Sequence, residues 1–234
     1  FVKAGLPGVF VTPDVTPYKK RKVRILNGAH TAFVPGSWVA GFDIVRDCMH
    51  DETVRGFMNT MLYDEVIPTL AADLDVEDCK AFAAAVENRF DNPFIDHALL
   101  SICLNSTAKW RARDLPTLKD YVAETGNLPK CLSTSLATLI AFYTQELVAR
   151  EGDGLHLRRA DGTEYTAQDD AFVLDFYAAH AGADDAELVH DVLNNEQMWG
   201  EDLTQIAGLE EFVVNALAVV RAEGVKQAFA NAQA

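Results

Sequence analysis

The sequence predicts a mainly α-helical domain with a short N-terminal strand and one small β-hairpin. Three observations carry this. Apolar residues recur at three- and four-residue steps along most of the chain. A hairpin signal, Asp161-Gly162, stands between two short segments rich in Leu, Thr and Tyr. Hydrophobic residues make up 49% of the 234, enough for one sizeable core, and no low-complexity linker divides the chain, so residues 1–234 are expected to form one unit.

The elements follow in order. Gly8-Val9-Phe10-Val11-Thr12 is short, β-branched and bounded by Gly and Pro, which reads as a strand. Thr16-Pro17 reads as a helix start, Thr16 as cap and Pro17 in the first turn. Val54, Phe57, Met58, Met61 and Leu62 take helical spacing, with Pro68 as a stop. Val76, Cys79, Ala83, Val86 and Phe90 form the next stripe, ended by Asn92-Pro93. Leu132, Leu136, Leu139, Tyr143 and Leu147 form another, and Leu209, Phe212, Val213, Ala216, Leu217 and Val220 the cleanest. Between these last two, Leu155–Arg158 and Thr163–Thr166 are the arms of a hairpin at about 155–166.

Composition excludes several functions. Lys plus Arg is 20 and Asp plus Glu is 35, a net charge of −15; a chain this acidic repels a phosphate backbone, so no nucleic-acid partner is expected. No apolar run is long enough to cross a membrane, and Phe1–Pro7 lacks a signal-peptide pattern. Cys48, Cys79, Cys103 and Cys131 are too widely spaced for a metal knuckle and lie in apolar, helical contexts. They read as small buried hydrophobes in a reducing compartment, and a cytoplasmic location is the expectation. No GxGxxG follows a strand; Gly152-x-Gly154 precedes one instead. This chain by itself is not expected to hold a dinucleotide or a metal.

Residues 18–30 carry the chemistry. On a helix at about 100° per residue, with Lys22 at 0°, His30 falls near 80° and Asn27 near 140°. Val23, Ile25, Leu26 and Ala29 surround them. Two readings stand: a buried helix with a polar notch, or a solvated basic helix end with a packed His30. A lysine in a closed site loses part of its preference for the charged form and could exchange a proton with an alcohol or alkoxide. Asn27 and His30 could donate hydrogen bonds to the same oxygen.

Lys22-x4-Asn27-x2-His30 resembles the signature of the long-chain polyol dehydrogenases, the mannitol dehydrogenase family. The string Arg21–Thr31 is similar to the uronate-reducing branch of that family. So are Glu65–Leu70, Arg89–Phe94, Leu104-Asn105-Ser106 through Lys109, and Leu136–Tyr143. The resemblance is strong over roughly residues 5–150. It implies the helical C-terminal substrate domain of an NAD-dependent oxidoreductase, with NAD bound mainly by an N-terminal Rossmann half absent from this chain. It also implies Lys22 as general acid/base, Asn27 and His30 holding the reacting oxygen, and Lys109 contacting substrate. Where the polyol enzymes carry an arginine eight residues before that lysine, this sequence has Ser101, which argues against mannitol. The implied reaction is the reversible reduction of a keto-uronate such as tagaturonate. The rivals are fructuronate reduction, polyol oxidation, and a non-catalytic helical interaction module.

Charge placement bears on the substrate. Residues 19–24 hold five cations and residues 109–113 hold Lys109, Arg111 and Arg113, with no acid in either window. These islands either converge on a substrate carboxylate, with Arg24 and Arg113 joining Lys109, or face acidic helices. Elsewhere, His180 with Asp184 and His190 with Asp191 read as solvated pairs rather than metal ligands. His97 reads as a packed histidine or pocket wall, Trp110 and Trp199 as packing residues, and Glu65 as a helix cap or salt-bridge partner.

Overall fold

Pro17 and the run after it set the chain on a helical course that it keeps for most of its length. A computed structural model describes residues 11–234. Gly8, Val9 and Phe10 of the expected N-terminal strand lie outside the described residues, and Val11 and Thr12 are irregular. Helix α1 (Thr16–Arg21) has Pro17 in its first turn. Its capping acceptor is Asp14, not the expected Thr16: the Asp14 carboxylate accepts from the Thr16 amide at 2.8 Å. A π-helical turn (Lys22–Asn27) leads without a break into α2 (Gly28–Val39).

The helices α3 (Val45–His50) and α4 (Glu52–Thr60) follow, then a second π-turn (Met61–Val66) and a 3-10 turn (Pro68–Leu70). Next come α5 (Val76–Phe90), α6 (Leu99–Ile102), α7 (Ser106–Arg113), α8 (Leu115–Thr125) and α9 (Lys130–Tyr143). Three strands, β1 (Glu146–Glu151), β2 (Gly154–Arg158) and β3 (Glu164–Ala167), precede α10 (Ala171–Ala179), α11 (Asp185–Leu193), α12 (Glu196–Trp199), α13 (Leu209–Glu223) and α14 (Val225–Ala232).

Helices α2 and α9 form the axis. In α2, residues 28–38 are buried except His30, and in α9 every residue from Cys131 to Tyr143 is buried. Gly36 permits the close approach: a Cβ there would meet Phe229 at 2.8 Å and Thr138 at 2.9 Å. Around this pair one contiguous apolar cluster runs from Ile25 to Ala232, in which each fully buried large side chain contributes about 1.5–3 kcal/mol. The α9 N-terminus is closed by Glu65, whose carboxylate accepts from the amides of Cys131 (2.7 Å) and Leu132 (2.9 Å), so the helix-cap reading holds. All four cysteines are buried and free.

The hairpin is real and belongs to a three-stranded antiparallel sheet ordered β1-β2-β3. Leu157 pairs with Tyr165 and Leu155 with Ala167, their buried side chains alternating with His156 and Thr166. The expected stripe through Leu147 is corrected here. Helix α9 stops at Tyr143 and Leu147 lies in β1, because no Gly or Pro marks the change and Leu147 happens to fall in helical phase. Buried Arg159 ties the sheet to the end of α2: it lies 4.1 Å over the Trp38 ring and donates to the Trp38 carbonyl at 3.1 Å.

Candidate active site

The site begins with the π-turn. The Gly28 amide bonds the Val23 carbonyl, five residues back, so residues five apart lie nearer one another around the rod than in an α-helix. Lys22 and Asn27 are five apart. The expected wheel, which set them about 140° apart, is therefore too wide, and the π-turn brings Lys22 onto the Asn27 side of the rod. His30 follows three residues on, the same face in an α-helix.

Gly28 fixes the turn from behind. A Cβ there would meet Asp114 Oδ1 at 2.8 Å. Asp114 is buried, and burial holds its carboxyl well above the usual carboxylate range despite Arg113 and Arg24 nearby.

His30 lies in the middle of the group, between the Phe90 and His97 rings. Its ring stacks on Phe90 at 4.0 Å and meets the His97 ring edge-on at 5.6 Å. Its Nε2 is buried and has no hydrogen-bond partner. Burial, and then the charges of His97, Arg113 and Lys109, lower its pKa to about 3, so the imidazole is neutral and one ring nitrogen keeps a proton to donate.

Helix α7 supplies the cations. Asn105, its N-cap, is left-handed at φ 51°, a conformation asparagine tolerates, and Lys109 and Arg113 follow one turn apart. Arg113 donates to the Thr31 hydroxyl at 2.9 Å and reaches the Asn27 carbonyl at 3.5 Å. Lys109 donates to the Ile102 carbonyl at 2.8 Å. Burial lowers the pKa of both, and Arg113 lowers that of Lys109 further. Asp169 braces the start of the helix, accepting from the Thr107 amide at 3.0 Å and from the Tyr143 hydroxyl.

The structure thus brings Asn27, His30, Lys109 and Arg113 together, and it changes two expectations. Lys22 is exposed, not buried, because no described element covers its face of the rod. Arg24 points elsewhere: its buried guanidinium bonds Thr117 at 2.5 Å and Asp120 at 3.1 Å, so it ties the π-turn to α8. The basic islands divide accordingly, Lys20 also pairing with Asp73 at 2.5 Å, while Lys109 and Arg113 face the His30 group.

The remaining expectations sort plainly. Trp110 and Trp199 are buried edge to face, 5.6 Å apart. His180 pairs with Asp191 and His190 with Glu210, not with Asp184 and Asp191 as the sequence spacing suggested; Asp184 caps α11. Among the described residues no group of three or more His, Cys, Asp or Glu could hold a metal. His97 is exposed, a wall of the site and not a packed core residue. Phe90 and Asp114 went unassigned in the sequence reading; only position on an apolar stripe signalled Phe90, and nothing signalled Asp114.

The described strands offer no glycine-rich strand-to-helix turn of the kind that cradles a dinucleotide's phosphates. Of the three strands, β3 alone leads into a helix, through Gln168-Asp169-Asp170, whose carboxylates repel phosphate where glycines and bare amides are needed.

The model of the mannitol dehydrogenase C-terminal domain matches residues 14–221. The chain belongs to this family. Similar curated proteins include altronate oxidoreductases of Escherichia coli O17:K52:H18, 42% identical over 226 residues, and of Klebsiella pneumoniae, 43% identical. Each alignment covers 94% of this chain and 44% of the relative, so the chain spans under half the length of these curated relatives. Among solved structures, Pseudomonas fluorescens mannitol 2-dehydrogenase in ternary complex with NAD and D-mannitol superposes with a TM-score of 0.80 at 23% identity, covering 96% of this chain and 42% of that one. A substrate-free D-sorbitol dehydrogenase superposes with a TM-score of 0.77 at 19% identity, covering 95% and 42%. At these identities the structural likeness establishes the fold, that of the mannitol dehydrogenase C-terminal domain.

Proposed function

We propose that this chain is the catalytic half of an NAD-dependent oxidoreductase that reversibly reduces a keto-uronate, tagaturonate to altronate. A second, nucleotide-binding half would hold the cofactor. The observation that carries the reading is the neutral His30, its buried Nε2 without a partner, sharing a helix face with Asn27 and flanked by Lys109 and Arg113. A polar nitrogen kept desolvated and unpaired costs stability unless something binds it.

In this reading the keto oxygen sits against Asn27 and His30, each giving a hydrogen bond. NADH supplies a hydride when bound. As the keto carbon accepts it, the C=O π pair moves onto oxygen. The Asn27 amide and the His30 ring N–H hold the growing negative charge, and the Lys22 ammonium gives its proton to form the alcohol. Lys22 is then neutral and regains a proton from solvent. In the oxidative direction it takes the proton back. Lys22 is exposed in this chain, so closure of the nucleotide-binding half over the α1–α2 face would exclude water at the moment of transfer. Lys109 and Arg113 would hold the acid end of the substrate, and Arg24 would keep the π-turn in place from behind.

The relatives' printed activity and the cation pair favour a sugar acid over a neutral polyol. The test is steady-state kinetics of the enzyme containing both halves on tagaturonate, fructuronate and fructose. The expected order of kcat/KM puts tagaturonate first. Failure to turn over any of the three would leave the non-catalytic interaction module as the reading.

A further inference from the structure

His97 takes no part in the steps above, yet it is held against them. On one side of it Arg46 donates to the Pro93 carbonyl at 3.0 Å and pairs with Asp96 at 2.6 Å. On the other, Val45 donates to the His97 carbonyl at 3.0 Å and Leu99 to the Asp43 carbonyl at 2.9 Å. The backbone is thus pinned, while the side chain is exposed and its ring makes no hydrogen bond to any described residue. A histidine fixed at its backbone and free at its ring, standing edge-on to the His30 imidazole, is placed to meet a ligand.

Given the keto-uronate reading above, on which this rests, we propose that His97 recognises the substrate carboxylate and sets the preference for a sugar acid over the matching neutral sugar. Geometry supports this first. In tagaturonate four carbon–carbon bonds separate the ketone from the carboxylate, roughly 5 Å when extended. The His30 and His97 rings are 5.6 Å apart. A ketone oxygen held at His30 therefore leaves the acid end within reach of His97.

Charge supports it second. The charges that bear on His30 after burial belong to His97, Arg113 and Lys109, with no carboxylate among them. Lys109 and Arg113 each already give a bond to the protein and keep further donors for the acid end; the His97 ring, which makes no hydrogen bond to any described residue, adds a partner beside them. A carboxylate entering there gains a charge-assisted hydrogen bond, whereas a hydroxymethyl group gains a neutral one.

The test compares tagaturonate with tagatose, in which a hydroxymethyl group replaces the carboxylate, using the enzyme with both halves. His97→Ala is expected to lower the acid-to-neutral ratio of kcat/KM by about 10–100-fold, the range for one hydrogen bond to a charged group. The loss should fall on KM for the acid rather than on kcat. His97→Gln, a neutral donor, should recover part of the ratio, and His97→Glu should reverse the preference by repulsion. Because the side chain is exposed, all three variants should keep the wild-type unfolding midpoint. Equal losses on both ketones, or no change in the ratio, would overturn the proposal while leaving the keto-uronate reading intact. A wild-type enzyme that reduces neither ketone would overturn that reading, and this proposal with it.

Discussion

Gly28→Ala isolates the packing that shapes the site. Gly28 has φ −61° and ψ −47°, so alanine is allowed by the backbone and improves helix propensity by about 0.8–1 kcal/mol. The added methyl, however, would stand 2.8 Å from Asp114 Oδ1 and 3.5 Å from the Val23 carbonyl. Ordinary contact begins near 3.4 Å, so one side must yield by 3.4 − 2.8 = 0.6 Å. Asp114 is 2% exposed, and a buried side chain in a close-packed interior resists displacement. The displacement therefore passes to the π-turn that sets Lys22 and Asn27. Overpacking of this kind costs about 1–3 kcal/mol, and the propensity gain offsets part, leaving a net loss of about 0–2 kcal/mol. Catalysis should suffer more: a misplacement of 1 Å can cost about a hundredfold, so this shift should lower kcat about tenfold. The assay is kcat on tagaturonate beside thermal unfolding. Asp114→Ala in the same chain should restore much of kcat, because the contact is then gone. If Gly28→Ala keeps kcat within about twofold, the close approach does not position the site.

Three further outcomes follow from the same geometry. Glu65, buried at the α9 N-terminus, has its pKa pushed up from 4.5 to about 7 by burial. The folded state thus binds more protons between those values, and stability should be full below 4.5, fall as pH rises toward 7, and stay lowered above; Glu65→Gln should remove that slope in denaturant unfolding curves. His30 has its pKa lowered from 6.5 to about 3, so its stability contribution is present above 6.5 and lost as pH falls toward 3. Its ring resonances in NMR should still report a neutral imidazole at about pH 5, and a protonated ring there would contradict the burial. NAD titrated calorimetrically into this chain alone should show no micromolar affinity, since the described residues offer no phosphate cradle; binding of that strength would refute the two-half reading.

Much of the fold was legible in the sequence because its signals are local. The stripe from Val76 to Phe90 became α5, and Asp161-Gly162 became the β2–β3 turn, with Gly162 at φ 90°. What was lost depended on tertiary context. β1 went unread because Glu146–Glu151 is a polar, half-exposed edge strand whose pairing partner lies downstream. The π-turns are invisible to a 3.6-residue wheel, and this one moved Lys22 relative to Asn27. Arg24 and Arg113 look alike in composition, but one faces Asp120 and the other Thr31, a difference fixed by which helix packs on each. For His97 the sequence leaves a packed histidine and a pocket wall both open, because its neighbours are apolar; Phe94 nearby is 92% exposed, the segment is a pinned loop and not a helix face, and the wall alternative is the one that fits.

The proposed function rests on proton transfer by Lys22. The direct measurement is steady-state reduction of tagaturonate by Lys22→Ala in the enzyme with both halves, after its fold and NAD affinity are matched to wild type. In the proposed reaction hydride transfer leaves an alkoxide that needs a proton, and of the three residues on this face Lys22 is the one whose ammonium could both stabilise and protonate it. The expected outcome is a kcat lowered by about 10²–10⁴, the range for a positioned general acid, with NAD affinity near normal. A variant keeping more than about a tenth of wild-type kcat would contradict it, and the exposed lysine would then be a solvated helix end.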